Sequence, residues 1–202
     1  MVCIFMARLG AVLEHKEYTD FAVDQLLIHH KLLSGGPDGL YYHGYNGAQK
    51  NHMSSVCWGR ANAWIIYATA QILKVAGDFD GKEELLERVR RHGAALKKYQ
   101  RPDGGFGTVL DDESSYTEIS ATAGIAAGIL EMVKLGVLDE SYRTVFEKGV
   151  AAVAAAMEQD GAVSGVSTGT PVMPNAQAYK EIPCCPTLYG QGLAIVAFAL
   201  EA

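Results

Sequence analysis

Hydrophobic and polar positions change character along this chain by whole segments. Residues 63–75 are apolar almost all round, through Trp64, Ile65, Ile66, Ala68, Ala70, Ile72 and Leu73, which predicts a helix buried on every side. Residues 82–99 follow the opposite rule. Leu85, Leu86, Val89, Leu96 and Tyr99 form one stripe, and Glu83, Glu84, Glu87, Arg88, Arg90, Arg91, Lys97 and Lys98 occupy the rest, so one face meets water. The two kinds recur in turn. Residues 1–9, 120–135 and 192–200 read as wholly apolar helices. Residues 18–33 and 140–158 read as two-faced, with Val23, Leu26 and Leu27 inward in the first and Val145, Phe146, Val153 and Met157 inward in the second. Gly10 is expected to end the first helix, which has no N-cap residue and no acidic first turn and so reads as beginning mid-element.

Each passage from an exposed helix to the next buried one is a long connection opening on Asp-Gly. Gly39, Gly104 and Gly161 recur at intervals of 65 and 57 residues. One exposed and one buried helix per unit of that length indicates stacked helical hairpins. The fold class is therefore all-α: an (α/α)6-barrel-type toroid, here an incomplete arc of about seven helices forming its C-terminal part. With the buried helices as inner ring, every long connection falls on one rim, where a site is expected. The ends of an open arc would leave apolar faces uncovered, so either self-association or an N-terminal half of the barrel is expected to cover them.

Length and composition keep this picture to one domain spanning 1–202, since 49% hydrophobic and 20% charged residues suffice for a single substantial core. A net charge of -6 disfavours nucleic acid and anionic membrane surfaces as partners. No apolar run reaches a membrane span and no cleavage signal follows the first helix, which reads as a cytoplasmic protein. Cys3, Cys57, Cys184 and Cys185 have no metal-ligand spacing, and the adjacent Cys184 and Cys185 are read as buried thiols. His30 continues the Val23, Leu26, Leu27 face and is read as a core or interface histidine. No metal and no cofactor are expected.

The rim connections hold the candidate chemistry. The first carries Tyr41, Tyr42, His43, Tyr45 and His52 and ends in Trp58-Gly59-Arg60-Ala61-Asn62-Ala63-Trp64, which contains both tryptophans of the chain. An indole face and a guanidinium together suit a flat, anionic small molecule, although two core tryptophans beside a structural ion pair would leave the same pattern. In the second, Ser115-x-x-Glu118 has the form of a capping box, so Glu118 reads as a cap and Asp111-Asp112-Glu113 as a solvated turn. The third, 163–189, is rich in glycine, proline and threonine, and Gln191 after it is expected to bond backbone at a helix start. No nucleophile elbow or phosphate-cradling loop is present, which leaves a hydrolase built on carboxylate, histidine and arginine as the favoured chemistry.

Four stretches in order resemble a known group: Gly39 to Tyr45, Trp58 to Trp64, Ser115 to Ala123, and Gly190-Gln191-Gly192. They look like the signatures of glycoside hydrolase families 105 and 88, the unsaturated rhamnogalacturonyl and glucuronyl hydrolases. The resemblance implies a cofactor-free hydration of the 4,5-unsaturated uronic acid at the non-reducing end of lyase-generated oligosaccharides. In the chemistry that the resemblance implies, an Asp would protonate C4 of the vinyl ether and activate water for C5. It places His43 near the unsaturated sugar, Trp58 and Trp64 as aromatic walls, and Arg60 on the carboxylate or ring hydroxyls. The family's His-Gly-Trp-Asp stands here as His43-Gly44-Tyr45-Asn46. Its catalytic Asp would fall ahead of Met1, so the resemblance implies a binding half without its proton donor. Alternatives from other classes are a carbohydrate-binding subunit completed by a partner and, from Gln100 to Phe106, a terpene-cyclase-like toroid.

Overall fold

The computed structural model describes residues 2–201. Among these, eight α-helices carry the fold and extended chain forms only isolated bridges. They are α1 (Val2–Leu13), α2 (Lys16–Leu33), α3 (Gly59–Ala76), α4 (Lys82–Tyr99), α5 (Ile119–Lys134), α6 (Arg143–Ala155), α7 (Ala176–Lys180) and α8 (Leu188–Glu201). α3 packs between α1 and α5, and α8 packs on α5, which makes an inner layer of four. α2 lies on α1, α4 beside α2 and α3, and α6 on α5, as the outer layer. This is the expected arc of helical hairpins.

The inner layer follows from side-chain size. Every residue of α5 from Ile119 to Val133 is buried, because α3, α6 and α8 cover it on three sides. Glycines let these helices approach. A Cβ on Gly128 would lie 2.6 Å from Ile66 Cγ2 and 2.9 Å from the Tyr67 nitrogen, and one on Gly149 would meet Ala126. Ile66, Ile72, Ile125 and Ile129 fill the seam completely, and truncating one to alanine costs about 2–5 kcal/mol at such sites.

Several boundaries differ from the sequence pattern, each for a local reason. Gly10 does not end α1, which runs on to Leu13. Gly10 is instead the contact point with α2, where a Cβ would collide with Thr19. The segment expected as one helix from 140 opens with a 3-10 turn, Glu140–Tyr142, capped by Asp139. α7 is an eighth helix inside the third connection, capped by the Asn175 side chain on Ala178 N–H. α1 and α8 are apolar all round, as expected of inner helices, yet Val2, Phe5, Val12, Leu188 and Ile195 are exposed because each helix has an inner-layer neighbour on one side only.

The repeated Asp-Gly pairs turn the chain onto the rim. Gly39, Gly104 and Gly161 have φ of 110°, 84° and 85°, a region glycine enters without strain. Asp103 and Asp160 accept the N–H two residues on, from Gly105 and Ala162, whereas Asp38 binds Lys98 and Tyr99. The three connections then meet. Gly59 N–H donates to Thr108 O, Leu110 N–H to Cys57 O, and Ile119 N–H to Gly165 O.

Candidate functional site

Arg60 enters the rim from the first turn of α3 and is buried. Its Nη1 donates to Ser120 Oγ at 3.1 Å and Ser167 O at 2.8 Å, and its Nη2 to Thr168 O at 2.9 Å and Thr170 Oγ1 at 3.0 Å. Glu118 Oε1 stands 3.6 Å away, equally buried. The guanidinium lies between two aromatic faces, 4.7 Å from the Trp58 centroid and 4.5 Å from that of Tyr189. A guanidinium has five N–H donors, and four bonds are already made inside the chain. Arg60 is thus the pin that fastens the third connection to α3 and α5, and it is not a free fork for an incoming carboxylate in this arrangement.

Glu118 is the N-cap of α5, accepting the Ala121 N–H at 2.6 Å, and it also accepts from Ser120 Oγ and from Ser167 N–H at 2.8 Å. The capping role holds, but the box does not. Ser115 sits away from the helix end, its hydroxyl donating to Val109 O and accepting from Arg101. Buried among these donors, Glu118 is the counter-ion of Arg60, and with four bonds from the guanidinium and both carboxylate oxygens accepting, the pair is of the kind tolerated inside a protein.

His43, half-buried, packs on the buried Trp58 beside this cluster. The His43 N–H donates to Val56 O at 3.0 Å, which folds the connection back on itself and brings the imidazole to 4.1 Å from the indole centroid. Tyr179, delivered by α7, completes the group. Its hydroxyl accepts the Met173 N–H at 3.2 Å and lies 2.6 Å from His43 Nδ1. Burial, and then the charge of Arg60, hold His43 neutral, its pKa lowered to about 4. Trp58 is buried among Val56, Ala61, Val109 and Tyr179, and its indole N–H has no partner among the described residues.

Trp64 lies elsewhere. It is half-buried against the core that α5, α6 and α8 share, on which Tyr189 and Phe198 also pack, whereas Trp58 belongs to a separate cluster. Cys184 and Cys185 are both exposed, contrary to their reading as buried thiols. They stand on an extended strap between Pro183 and Pro186, where Cys185 N–H donates to Val166 O and Pro183 O accepts from Thr168 N–H. Gln191 does bond backbone, across the third connection, at Val163 N–H and Gly161 O. His30 is a core residue as expected, between the Tyr41 hydroxyl and Thr69. Tyr179 was not legible as part of the cluster. The available signal was Asn175, a capping residue three positions ahead of Ala178 inside an otherwise proline-rich loop.

Inner helices that begin on a common rim, with aromatic rings packed around a buried arginine, define a helical toroid. Within that class the chain belongs to glycoside hydrolase family 88, whose family model, Glycosyl Hydrolase Family 88, matches residues 1–201. It is 36% identical over 201 residues to the unsaturated rhamnogalacturonyl hydrolase YesR of Bacillus subtilis (strain 168), covering 98% of this chain and 57% of that protein. It is 26% identical to an unsaturated 3S-rhamnoglycuronyl hydrolase of Alteromonas sp. (strain LOR), covering 95% of this chain and 46% of that one. The chain spans about half the length of the curated relatives it matches. Among solved structures, a possible member of the GH105 family from Klebsiella pneumoniae superposes with a TM-score of 0.90 at 30% identity, over 97% of this chain and 53% of that one. The unsaturated glucuronyl hydrolase of Bacillus sp. GL1, at 22% identity and a TM-score of 0.74, shares the fold.

Proposed function

We propose that this stretch supplies the sugar-binding wall of a hydrolase acting on 4,5-unsaturated uronic acid at the non-reducing end of lyase-generated oligosaccharides. The observation that carries the reading is the contact of His43 with Trp58, backed by Tyr179 and lying over Arg60. The buried Trp58 ring backs the half-buried His43 imidazole, which is the polar ring a sugar would meet, and the Arg60 charge behind the indole draws a carboxylate without touching it. Arg60 serves by holding Trp58 and Tyr189 in place, and Trp64, which packs on the same core as Tyr189, adds a second aromatic wall. Hydration of the vinyl ether needs a proton at C4, and Glu118, with both oxygens engaged, does not serve as its donor, so the reading assigns this wall to binding and not to proton transfer.

The test is tryptophan fluorescence titrated with an unsaturated uronyl disaccharide. Saturable binding is expected, weakened at least about tenfold in His43→Ala and in Trp58→Phe, while the enol-ether absorbance barely falls. Absence of saturable binding would sink the substrate class. Turnover at the rate of the full-length relatives would sink the separation of binding from proton donation.

A second reading concerns the ends of the arc. Exposed Val2, Phe5 and Val12 on α1 and Leu188 and Ile195 on α8 support coverage by further barrel helices or a second copy, forming a partner-completed site. A monodisperse monomer in light scattering would count against any need for a partner. Free cysteines, two of them exposed, support a reducing, cytoplasmic setting. No helix among the described residues is long and apolar enough to cross a membrane.

A further inference from the structure

Where the first connection leaves α2, the turn Ser34-Gly35-Gly36 faces α4 across a pocket of about 270 Å³. Arg88 and Arg91 reach into it from α4, and Tyr41 forms its floor. None of its lining residues is acidic, in a chain whose net charge is -6. Its volume falls below the roughly 300–1,000 Å³ of clefts that take drug-sized molecules, so the occupant is small.

The two arginines differ from their neighbours on α4. Arg90 pairs with Glu87, and Arg88 gives Nε and Nη2 to Glu84, which leaves Nη1. Arg91 has no carboxylate within ion-pair distance among the described residues. Asp38, the nearest acid of the facing connection, is already bound to Lys98 at 2.6 Å and to the Tyr99 hydroxyl at 2.8 Å. The Arg91 stem is nevertheless held in place. It crosses Gly39 so closely that a Cβ there would lie 2.7 Å from Arg91 Cγ, and Gly39 has a φ of 110° that favours glycine in any case. The backbone opposite is also open, since Gly35 lines the pocket and its N–H makes no backbone hydrogen bond among the described residues. The positive field reaches the floor: Arg88 and Arg91 both oppose the burial that raises the Tyr41 pKa, and Arg88 adds to the burial that keeps His30 neutral.

Like charges one turn apart on a helix repel, and here they converge on a concave surface instead of spreading into solvent. We propose that the pocket between the Ser34–Gly36 turn and α4 binds a phosphate- or sulfate-class dianion, held by Arg88, Arg91 and the Gly35 N–H. Arg91 brings a charge that no carboxylate offsets, Arg88, already shared with Glu84, adds Nη1, and the N–H groups match adjacent oxyanion oxygens. The reading does not depend on the sugar site.

The decisive experiment is a 15N NMR titration of the whole chain with inorganic phosphate, against potassium chloride at equal ionic strength. Saturable shifts at the Gly35 amide and at Arg91 Nε are expected with phosphate and not with chloride. Arg91→Gln and Arg88→Gln, both surface changes, should each weaken binding about tenfold, whereas Arg90→Gln should leave it unchanged. Glucose 6-phosphate separates the sources: tighter binding than phosphate assigns the site to a phosphorylated sugar, and equal binding to the free ion. Shifts that never saturate, shifts identical in chloride, or full affinity in Arg91→Gln would overturn the proposal.

Discussion

The imidazole of His43 rests against the indole of Trp58 with 4.1 Å between ring centroids and 40° between planes. The two residues come from opposite ends of one connection, and the His43 N–H bond to Val56 O sets their approach. Protonated imidazole quenches indole emission, which makes Trp58 a reporter of the state of His43. Its pKa is lowered to about 4, chiefly by burial, so emission is expected to stay level from pH 8 to about 5. A quenching step near the ordinary value of 6.5, absent in both Trp58→Phe and His43→Gln, would contradict this environment.

His30 and His92 carry a larger consequence for stability. Burial lowers the pKa of each to about 3. Their folded values lie below the unfolded value of about 6.5, so the unfolded chain binds more protons in acid. The contribution is complete above pH 6.5 and is lost as pH falls toward 3. Each histidine then removes up to about 1.4 kcal/mol per pH unit below 6.5. Urea midpoints measured from pH 7.5 to 5 should fall accordingly, and the slope should flatten in His92→Gln. A pH-independent midpoint would exclude neutral, buried histidines.

Arg60→Lys tests whether the fork and the stacking matter beyond the charge. An ammonium cannot bond two carbonyls, two hydroxyls and a carboxylate at once, nor lie flat between Trp58 and Tyr189. Glu118 would remain buried with a poorer partner. The expected loss is about 3–5 kcal/mol, or roughly 6–20 °C in Tm for a chain of this size. A shift of under about 2 °C by calorimetry would show that charge alone suffices.

Thiol labelling separates the cysteines by environment. Cys184 and Cys185 are exposed, whereas Cys57 is buried and its thiol is pushed far up, first by burial and then by the charge of Asp111. Iodoacetamide at pH 8 should modify the strap cysteines in the folded protein and reach Cys57 only after denaturation, as read by peptide mass mapping. Modified Cys57 under native conditions would show that the first connection opens.

The rings, the rim and the hairpin order were legible because they depend on periodicity, and periodicity is a property of the chain alone. Gly10 misled because a glycine that permits helix contact and one that ends a helix look alike in sequence. Only Thr19 beside it tells them apart. The strap cysteines misled because thiols are usually buried, while here flanking prolines keep the segment extended on the surface. Arg60 and Glu118 were each singled out, but their pairing joins positions far apart in sequence and required the fold. Tyr179 depends on the same kind of long-range placement.

Asn62 offers the sharpest test of how the cluster is positioned. Its Oδ1 accepts from the Tyr41 N–H at 2.9 Å and from His92 Nε2 at 3.0 Å, and its Nδ2 donates to Tyr41 O at 2.8 Å and Trp58 O at 3.0 Å. All four hydrogen-bonding positions of this fully buried amide are used. Through them one side chain fixes the strand leading to His43 against the residue that stacks on it. Asn62→Asp keeps the size and the acceptor but loses both donations, and it places a charge beside two carbonyl oxygens. A loss of about 3 kcal/mol is expected from the bonds left unmade. Asn62→Ala should also shift Trp58 emission to the red as the first connection loosens. His92→Gln, which leaves the Tyr41 and Trp58 bonds intact, should lower stability without that shift. If both variants move the emission equally, Asn62 acts only through general stability and does not set the spacing between His43 and Trp58.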